Sequence, residues 1–302
     1  MHKILFRADS SSTIGTGHIM RDLVLAKQYP DSEIVFATQD LEGDLNSKII
    51  ESGYKVKLLS SNHIDELVAM VKKLEIDKVV IDHYDIDYVF EKVLKEKTDV
   101  QLMVLDDTYE EHFCDVLLNH NIYADENRYK NLVPEGCKLQ CGSKFTLLRE
   151  EFHVEKANKK PFTRESTHVF LAMGGADSAN LNIDILEVLE KFSSVHTHVV
   201  TTNANQYLEE LQVYVRSKEN ITLHINSNEL GKLMIESHFA IVSPSVTLNE
   251  INFMGLPFVS IQTADNQSAM VSFLEKNKFL ILKEFDSNIL YDALKSSLVF
   301  DK

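Results

Sequence analysis

Short apolar runs and longer amphipathic segments alternate along the first half of the chain. Runs of strand length occur at residues 3–9, 33–38, 78–84 and 100–107. The segments between them, such as 63–74, repeat their apolar residues every three or four positions, which is the spacing of one helix face. Strand and helix periods in alternation predict βαβ units and therefore a parallel sheet.

This alternation is interrupted once, in the middle of the chain. Residues 151–166 (EFHVEKANKKPFTRES) are polar, rich in lysine and contain a proline, and the apolar runs resume at residue 167. Such a composition is typical of a segment between domains. We therefore predict a Rossmann-like domain over 1–150, a linker over 151–166 and a second Rossmann-like domain over 167–302, closed by an amphipathic helix at 286–300.

The predicted fold class is α/β, with two doubly wound parallel-sheet domains facing each other across a cleft. Parallel sheets bind ligands outside the carboxyl ends of their strands, and ligand pockets occur preferentially at domain interfaces. The sequence thus indicates a ligand site built from strand-to-helix turns.

Composition and cysteine content narrow the class of protein. The chain has 302 residues, of which 44% are hydrophobic and 25% charged, as in soluble globular proteins with two domains. No window approaches the roughly eighteen apolar residues of a membrane helix, and the N-terminus enters a strand at once, so we expect no signal peptide, no membrane insertion and a cytoplasmic location. Cys114, Cys137 and Cys141 lack CxxC spacing and are predicted to be reduced thiols.

The formal net charge is −15 and is spread over both halves of the chain. Residues 1–150 hold 18 Lys and Arg against 27 Asp and Glu, and the remainder holds 13 against 19. Nucleic acids and anionic membranes bind positively charged surfaces, so neither is an expected partner. An anionic ligand would have to be bound by backbone amides and a few well-placed cations.

A glycine turn follows the first predicted strand, in the segment IGTGHIMRD at 14–22. A Gly-x-Gly turn before a helix is also the start of the dinucleotide-binding fingerprint. However, Met20 occupies the position of the third glycine, and this argues against a dinucleotide site. Two interpretations remain from these residues: the turn presents His18, or it is an ordinary strand-to-helix turn in which His18 is incidental.

A second glycine turn, Gly174-Gly175-Ala176-Asp177, follows the strand predicted at 167–173. Glycines at a strand end let the backbone approach a phosphate, and the following helix start offers unpaired N–H groups. We predict that Gly174 and Gly175 bind a pyrophosphate. A tight turn that needs glycine only for its backbone conformation is the alternative.

A serine-rich turn lies further along the second predicted domain. Ser243, Ser245 and Thr247 precede or begin a helix that bears Glu250 one turn later. Hydroxyl groups can bind phosphate, and a carboxylate can accept both hydroxyls of a ribose. The alternative is a helix cap followed by a solvated glutamate.

The order GGAD, S-x-S-x-T-x-x-E, G-L-P and D-N-Q in the second half resembles the nucleotide-binding half of GT-B glycosyltransferases, especially the enzyme that adds N-acetylglucosamine to the peptidoglycan lipid precursor. Over residues 2–270 the chain is similar to the hydrolases of UDP-2,4-diacetamido-2,4,6-trideoxy-β-L-altropyranose in pseudaminic acid biosynthesis. The blocks ILFRADSSSTIGTGHIMRDLVLAKQY, IDHY, LREEF, MGGAD and NE carry this similarity. The tail after about Lys278 lies outside it.

The resemblance implies a GT-B-like fold and a metal-independent hydrolase without a cofactor, in which water attacks the anomeric carbon with inversion. It implies that His18 is the catalytic base, that Tyr84 and Asn266 are further active-site residues, and that Gly17 and Gln267 contribute to substrate binding. It also implies a role in flagellin glycosylation. We expect a monomer whose partner is the UDP-sugar alone.

Three other functions remain open from the sequence. A GT-B glycosyltransferase would use the same nucleotide site with an acceptor, a 2-epimerase would also release UDP, and a non-catalytic protein would only bind the UDP-sugar. The acidic first half argues against a membrane-docked transferase, which would need a basic, apolar face.

Several further polar residues carry weaker expectations. Arg7 and Arg149 are cations that could face an anionic ligand, although surface ion pairing explains each equally well. His196 and His198 alternate on a predicted strand and so share one face, but two histidines without a third ligand do not predict a metal site. We therefore predict no metal site, and structural roles for these two histidines, for His83 and for His112.

Overall fold

The computed structural model describes residues 2–159 and 167–297. These residues divide into two compact units, with the boundary between Leu148 and Arg149. Each unit is built on one parallel sheet with helices in the connections between its strands. The α/β fold class with two Rossmann-like domains is therefore confirmed.

The sheet of the first unit has seven parallel strands in the order β3-β2-β1-β4-β5-β6-β7. The strands are β1 His2–Ala8, β2 Ser32–Thr38, β3 Lys55–Leu58, β4 Lys78–Asp82, β5 Gln101–Leu105, β6 Val116–Asn119 and β7 Lys138–Cys141. The helices are α1 Gly17–Ala26, α2 Asn46–Glu51, α3 Ile64–Leu74 and α4 Tyr88–Thr98, with short 3₁₀ helices at Glu126–Tyr129 and Ser143–Phe145.

Alternate residues of the central strands pack into two separate cores. Val79 and Ile81 of β4 join the cluster that contains Leu67 of α3, whereas Val80 joins the cluster that contains Ile19 of α1. Successive strand residues point to opposite faces, so both faces of this sheet are covered. This explains why the strands read as continuous apolar runs in the sequence.

The second unit starts with helix α5, Glu150–Ala157, and has six parallel strands in the order β10-β9-β8-β11-β12-β13. The strands are β8 Thr167–Ala172, β9 Val195–Thr201, β10 Ile221–Ile225, β11 Phe239–Val242, β12 Phe258–Ile261 and β13 Ile281–Leu282. The helices are α6 Asn182–Leu189, α7 Leu208–Val215, α8 Leu230–Glu236, α9 Thr247–Met254, α10 Ser268–Lys276 and α11 Ser287–Ser297, with a 3₁₀ helix at Asp265–Gln267.

The structure differs from the sequence prediction in the segment between the domains. Much of the predicted linker is helix α5, which packs on α8. Phe152 is fully buried and lies 3.4 Å from the position of a Cβ on Gly231. A single buried aromatic among polar residues leaves little helical periodicity to detect. Residues 160–166 and 298–300, at the ends of the predicted linker and closing helix, lie outside the described residues.

Strand order in the first unit brings three acidic segments to one edge of the sheet. Asp9 follows β1, Asp82 ends β4, and Asp106 and Asp107 follow β5. Because β1, β4 and β5 are neighbours and parallel, their carboxyl ends lie side by side. The glycine turn that carries His18 starts from the same edge.

Candidate active site

The turn between β1 and α1 is shaped by its own polar groups. Ser11 Oγ accepts hydrogen bonds from the backbone N–H groups of Thr13 and Ile14, and Gly15 has a φ of +86°. That φ strongly favours glycine. Apart from its chain neighbours and the backbone of its own helix, no described atom lies within 4 Å of the position of a Cβ on Gly17, so the space beside the start of α1 is open. His18 is therefore the second residue of a helix that begins at an uncrowded turn.

A buried ion cluster behind this turn fixes the ends of β1 and β4. Asp9 Oδ2 lies 2.7 Å from the Arg7 guanidinium and 3.0 Å from His83 Nε2, and Asp9 Oδ1 accepts the Gln39 N–H. Burial would raise the pKa of Asp9, but the bonds from His83 and Arg7 outweigh it and hold that pKa well below its usual range. Arg7 and His83 thus have structural partners here.

His18 forms a hydrogen-bonded pair with Asp82. His18 Nδ1 lies 2.6 Å from Asp82 Oδ1, and the histidine is only 6% exposed. Arg21, one turn further along α1, places Nε 2.6 Å from Asp82 Oδ2. The spacing of His18 and Arg21 puts both on the same face of the helix. The Asp82 carboxylate is therefore bound by an imidazole and a guanidinium from one helix.

Arg21 also connects this pair to Asp107 and Tyr84. Its Nη1 lies 2.9 Å from Asp107 Oδ2, while Tyr84 donates its hydroxyl to Asp107 Oδ1 at 3.0 Å. Tyr123 donates to the Asp107 backbone carbonyl at 3.2 Å. The ring of Tyr84 meets the His18 imidazole edge to face, with centroids 4.7 Å apart. The five side chains His18, Asp82, Arg21, Asp107 and Tyr84 form one connected group, which we call the base cluster.

Electrostatics fix the protonation of two members of the base cluster. Burial favours a neutral Asp82, but the charge and hydrogen bonds of Arg21, followed by those of His18, hold the pKa of Asp82 well below its usual range. Burial and the neighbouring Asp107 raise the pKa of Tyr84 to about 12. At neutral pH Asp82 is a carboxylate and Tyr84 a neutral phenol. Since the Asp82 carboxylate can only accept, Nδ1 of His18 is the donor of this hydrogen bond, and in the neutral ring the lone pair then lies on Nε2.

Two buried groups border the base cluster without hydrogen-bond partners among the described residues. Both carboxylate oxygens of Asp22 and both ring nitrogens of His120 lack such partners. Burial, followed by the charge of Asp82, raises the pKa of Asp22. Burial, followed by the charge of Arg21, lowers the pKa of His120 to about 4. His120 is therefore neutral at pH 7, and the shift at Asp22 favours its neutral form.

A second buried network holds the turn that carries Asp107. Asp106 accepts the backbone N–H groups of Thr108 and Tyr109 and the hydroxyl of Tyr129. His112 Nδ1 lies 2.8 Å from Glu91 Oε1, and its Nε2 lies 3.8 Å from Asp106 Oδ1. Burial favours the neutral ring, but attraction to Asp106 and Glu91 raises the pKa of His112 to about 9.

We expect the stability of the first unit to fall as the pH rises from 6.5 to 9. A folded-state pKa raised above the unfolded value stabilises the fold fully below pH 6.5, and this contribution is lost through pH 9. The expected loss is on the order of 2–3 kcal/mol. Urea unfolding monitored across this range should show the decline in the wild type and a flatter profile in His112→Gln. Parallel profiles in the two proteins would contradict this charge assignment.

The glycine turn of the second unit lies beside the serine-rich turn. Gly174 has a φ of +81°, and a Cβ there would lie 3.8 Å from Ser243 Oγ. A Cβ on Gly175 would lie 3.0 Å from the Thr202 side chain, whose hydroxyl donates to the Gly175 carbonyl. Asp177 accepts the N–H groups that start α6, so its role here is a helix cap.

Glu250 is the carboxyl group of the serine-rich region, and its side chain is 16% exposed. Helix α9 begins at Thr247, and Ser243 Oγ lies 3.4 Å from Ser245 Oγ just before it. Glu250 Oε1 lies 3.7 Å from the Arg149 guanidinium, which also binds Glu151 at 2.8 Å. Burial raises the pKa of Glu250 to about 7, with Arg149 opposing the shift and Glu151 adding to it. Because Arg149 compensates the charge of Glu250 only in part, this carboxylate is suited to accept hydrogen bonds from hydroxyl groups.

Asn266 and Gln267 lie in the 3₁₀ turn before α10. Gln267 Oε1 accepts the Thr263 N–H at 2.9 Å and the Ala264 N–H at 3.2 Å, so this side chain shapes its own loop. Asn266 is exposed on the same turn.

The structure brings some of the predicted site residues together within each unit. His18, Gly17 and Tyr84 are neighbours in the first unit, and Gly174 lies beside the Ser243–Ser245 turn in the second. Sequence reasoning assigned no role to Asp82, Arg21 or Asp107. A usable signal was present, because an Arg three residues after His18 shares its helix face and acidic residues follow adjacent strands.

The predicted structural histidines of β9 take part in a chain of imidazoles. His198 lies 3.0 Å from a ring nitrogen of His168 and 3.2 Å from one of His224, and His196 bonds Thr222. No group of three or more His, Cys, Asp or Glu side chains within 2–159 and 167–297 is arranged to hold a metal ion. None of the helices in these ranges is both long and apolar enough to cross a membrane.

Solved structures with the same architecture include glycosyltransferases of the GT-B class and UDP-GlcNAc 2-epimerases. MurG of Acinetobacter baumannii superposes with a TM-score of 0.67 at 14% identity, covering 98% of this chain and 90% of that one. UDP-GlcNAc 2-epimerase of Neisseria meningitidis, solved with UDP-GlcNAc, superposes with a TM-score of 0.63 at 12% identity, covering 99% of this chain and 92% of that one. Two parallel Rossmann-like units place this chain in the GT-B fold class.

Sequence comparison identifies the family. No family model matches the chain. The UDP-2,4-diacetamido-2,4,6-trideoxy-β-L-altropyranose hydrolase of Campylobacter jejuni is 40% identical over 92% of this chain and 97% of that protein. The spore coat polysaccharide biosynthesis protein SpsG of Bacillus subtilis is 21% identical over 89% of this chain and 79% of that one. The chain belongs to the family of UDP-2,4-diacetamido-2,4,6-trideoxy-β-L-altropyranose hydrolases.

Proposed function

We propose that this protein hydrolyses UDP-2,4-diacetamido-2,4,6-trideoxy-β-L-altropyranose to UDP and the free sugar. The observation that carries the proposal is the His18–Asp82 hydrogen bond beside the open space at Gly17. With Asp82 accepting the Nδ1 proton, Nε2 of the neutral ring is the proton acceptor. Family membership supports the substrate class.

In the proposed reaction His18 acts as a general base on water. The water oxygen attacks the anomeric carbon while its proton moves to His18 Nε2. The bond between that carbon and the phosphate oxygen breaks, and UDP leaves with the electron pair. Asp82 stabilises the resulting imidazolium and keeps Nδ1 protonated. Attack opposite the leaving group inverts the anomeric carbon, and the neutral Tyr84 hydroxyl is available to orient the sugar.

We assign UDP binding to the second unit. Backbone amides of Gly174 and Gly175 and the hydroxyls of Ser243 and Ser245 are suited to a pyrophosphate in an acidic protein. Glu250 is assigned to the ribose hydroxyls. Arg149 is already bound to Glu151, so its role in this proposal is to orient Glu250. Asn266 and Gln267 remain proposed substrate contacts, the latter through the loop it shapes.

An NMR time course with the UDP-sugar and no acceptor tests the function. We expect free sugar to appear steadily, with the inverted anomer first, and UDP to accumulate in equal amount. Binding without product would favour a protein that only binds the UDP-sugar. Turnover that needs an added acceptor would favour a glycosyltransferase, and a changed configuration at C2 would favour an epimerase. The retained anomer as first product would contradict the single-displacement mechanism.

We expect UDP to bind more weakly as the pH falls from 8 to 6, because a protonated Glu250 accepts hydrogen bonds from ribose less well. The pKa of about 7 places the change in this window. The ratio of the Kd of 2′-deoxy-UDP to that of UDP isolates the ribose contact, since the phosphates titrate alike in both. This ratio should fall towards acid pH in the wild type and in Glu275→Gln, an exposed control, and stay flat in Glu250→Gln. A pH-independent wild-type ratio would remove Glu250 from ribose binding.

We further propose that the protein acts as a monomer in the cytoplasm, without a nucleic acid partner. The net charge of −15 supports the last point. Light scattering during gel filtration measures the oligomeric state.

A further inference from the structure

Two cysteines of the first unit lie side by side at the edge of its sheet. Cys114 precedes β6 and Cys137 precedes β7, and their sulfur atoms are 3.7 Å apart. The backbone here is held in register, because Lys138 N donates to the Asp115 carbonyl at 2.9 Å and Val116 pairs with Lys138. Both cysteines are free thiols.

The surroundings of the two thiols differ. Cys114 is 3% exposed and belongs to the apolar core beneath β4 and β5, whereas Cys137 is half-buried. The Cys114 thiol and the Leu117 backbone N–H both bond the Cys137 sulfur and lower the pKa of Cys137. The bond with Cys137 and burial raise the pKa of Cys114. Cys137 is thus the accessible sulfur that ionises first, with Cys114 as a thiol behind it.

We propose that Cys114 and Cys137 form a reversible disulfide when the protein meets hydrogen peroxide. The Cys137 thiolate attacks one peroxide oxygen, the O–O bond breaks, and a sulfenic acid forms while the other oxygen leaves as water after protonation. Cys114 then attacks the Cys137 sulfur, the S–O bond breaks, and a second water leaves. Two thiols and one peroxide therefore yield one disulfide and two waters.

The required movement is small. The sulfur atoms must approach from 3.7 Å to about 2.05 Å, and Cys137 directly precedes β7, the strand at the edge of the sheet. The chemical benefit is protection, because a sulfenic acid without a nearby thiol proceeds to irreversible sulfinic acid. This inference is independent of the proposed hydrolase activity, since neither cysteine belongs to the base cluster.

Peroxide titration of the full-length protein, followed by peptide mass spectrometry under non-reducing conditions, tests the proposal. We expect a peptide pair joined through Cys114 and Cys137, with a loss of two hydrogens, that dithiothreitol reverses. Cys141→Ser is the matched control, since Cys141 ends the same strand β7, and it should form the same linkage. Cys114→Ser should instead accumulate Cys137 sulfenic acid, trapped with dimedone, and then sulfinic acid.

Three results would overturn this assignment. The first is a disulfide that includes Cys141. The second is irreversible oxidation of wild-type Cys137 at the rate seen in Cys114→Ser. The third is the absence of the Cys114–Cys137 linkage under conditions that oxidise Cys141. The wild-type measurement needs no variant, so a poorly folded Cys114→Ser leaves the test intact.

Discussion

Replacing His18 by Asn is expected to lower kcat for UDP release by about 10²- to 10⁴-fold, the usual contribution of a general base. The Asn side chain keeps a polar group near Asp82 but offers no basic nitrogen to the attacking water. UDP affinity should stay within a few-fold of the wild type, because UDP binding is assigned to the second unit. A coupled assay for UDP and calorimetric titration of UDP measure the two quantities separately.

The control for His18 is His63→Asn, at an exposed histidine before helix α3, which should have wild-type kcat and UDP affinity. Wild-type turnover in His18→Asn would remove the base from the mechanism. A parallel loss of UDP affinity would show instead that His18 acts through substrate binding.

Replacing Asp82 by Asn should lower kcat by at least about 10²-fold, although the side-chain shape is kept. The Asn amide can donate a hydrogen bond to His18 Nδ1, and the proton of the neutral ring then lies on Nε2. A protonated Nε2 cannot accept a proton from water. The variant also leaves Arg21 with Asp107 as its one carboxylate partner in the base cluster. We expect a larger fold-change in kcat than in KM.

Asp85→Asn is the matched control, because Asp85 is an exposed carboxylate on the loop that follows Asp82. It should retain full activity. Circular dichroism and the unfolding midpoint of Asp82→Asn establish whether the fold survives. A folded Asp82→Asn protein with wild-type kcat would show that the His18 tautomer does not depend on this carboxylate.

Hydrophobic periodicity alone determined the α/β class and most of the elements. Strands buried on both faces read as continuous apolar runs, and helices that cover them repeat every three or four residues. Helix α9, Thr247–Met254, begins at the serine-rich turn and bears Glu250, as the sequence predicted. The short strands β6, β7 and β13 and helix α5 were not found. Helix α5 has a single buried residue and therefore carries little periodic signal.

The sequence by itself also determined the family, through the motif around His18, and so predicted an imidazole base before any coordinates. Only the tertiary structure decided which groups surround that base. Asp82 and Asp107 lie 64 and 86 residues along the chain from their partners His18 and Arg21. They meet because β1, β4 and β5 are neighbours in the sheet. The physical reason is that periodicity reports which face of an element is buried, whereas contacts between side chains depend on strand order, which is settled by packing over the whole unit.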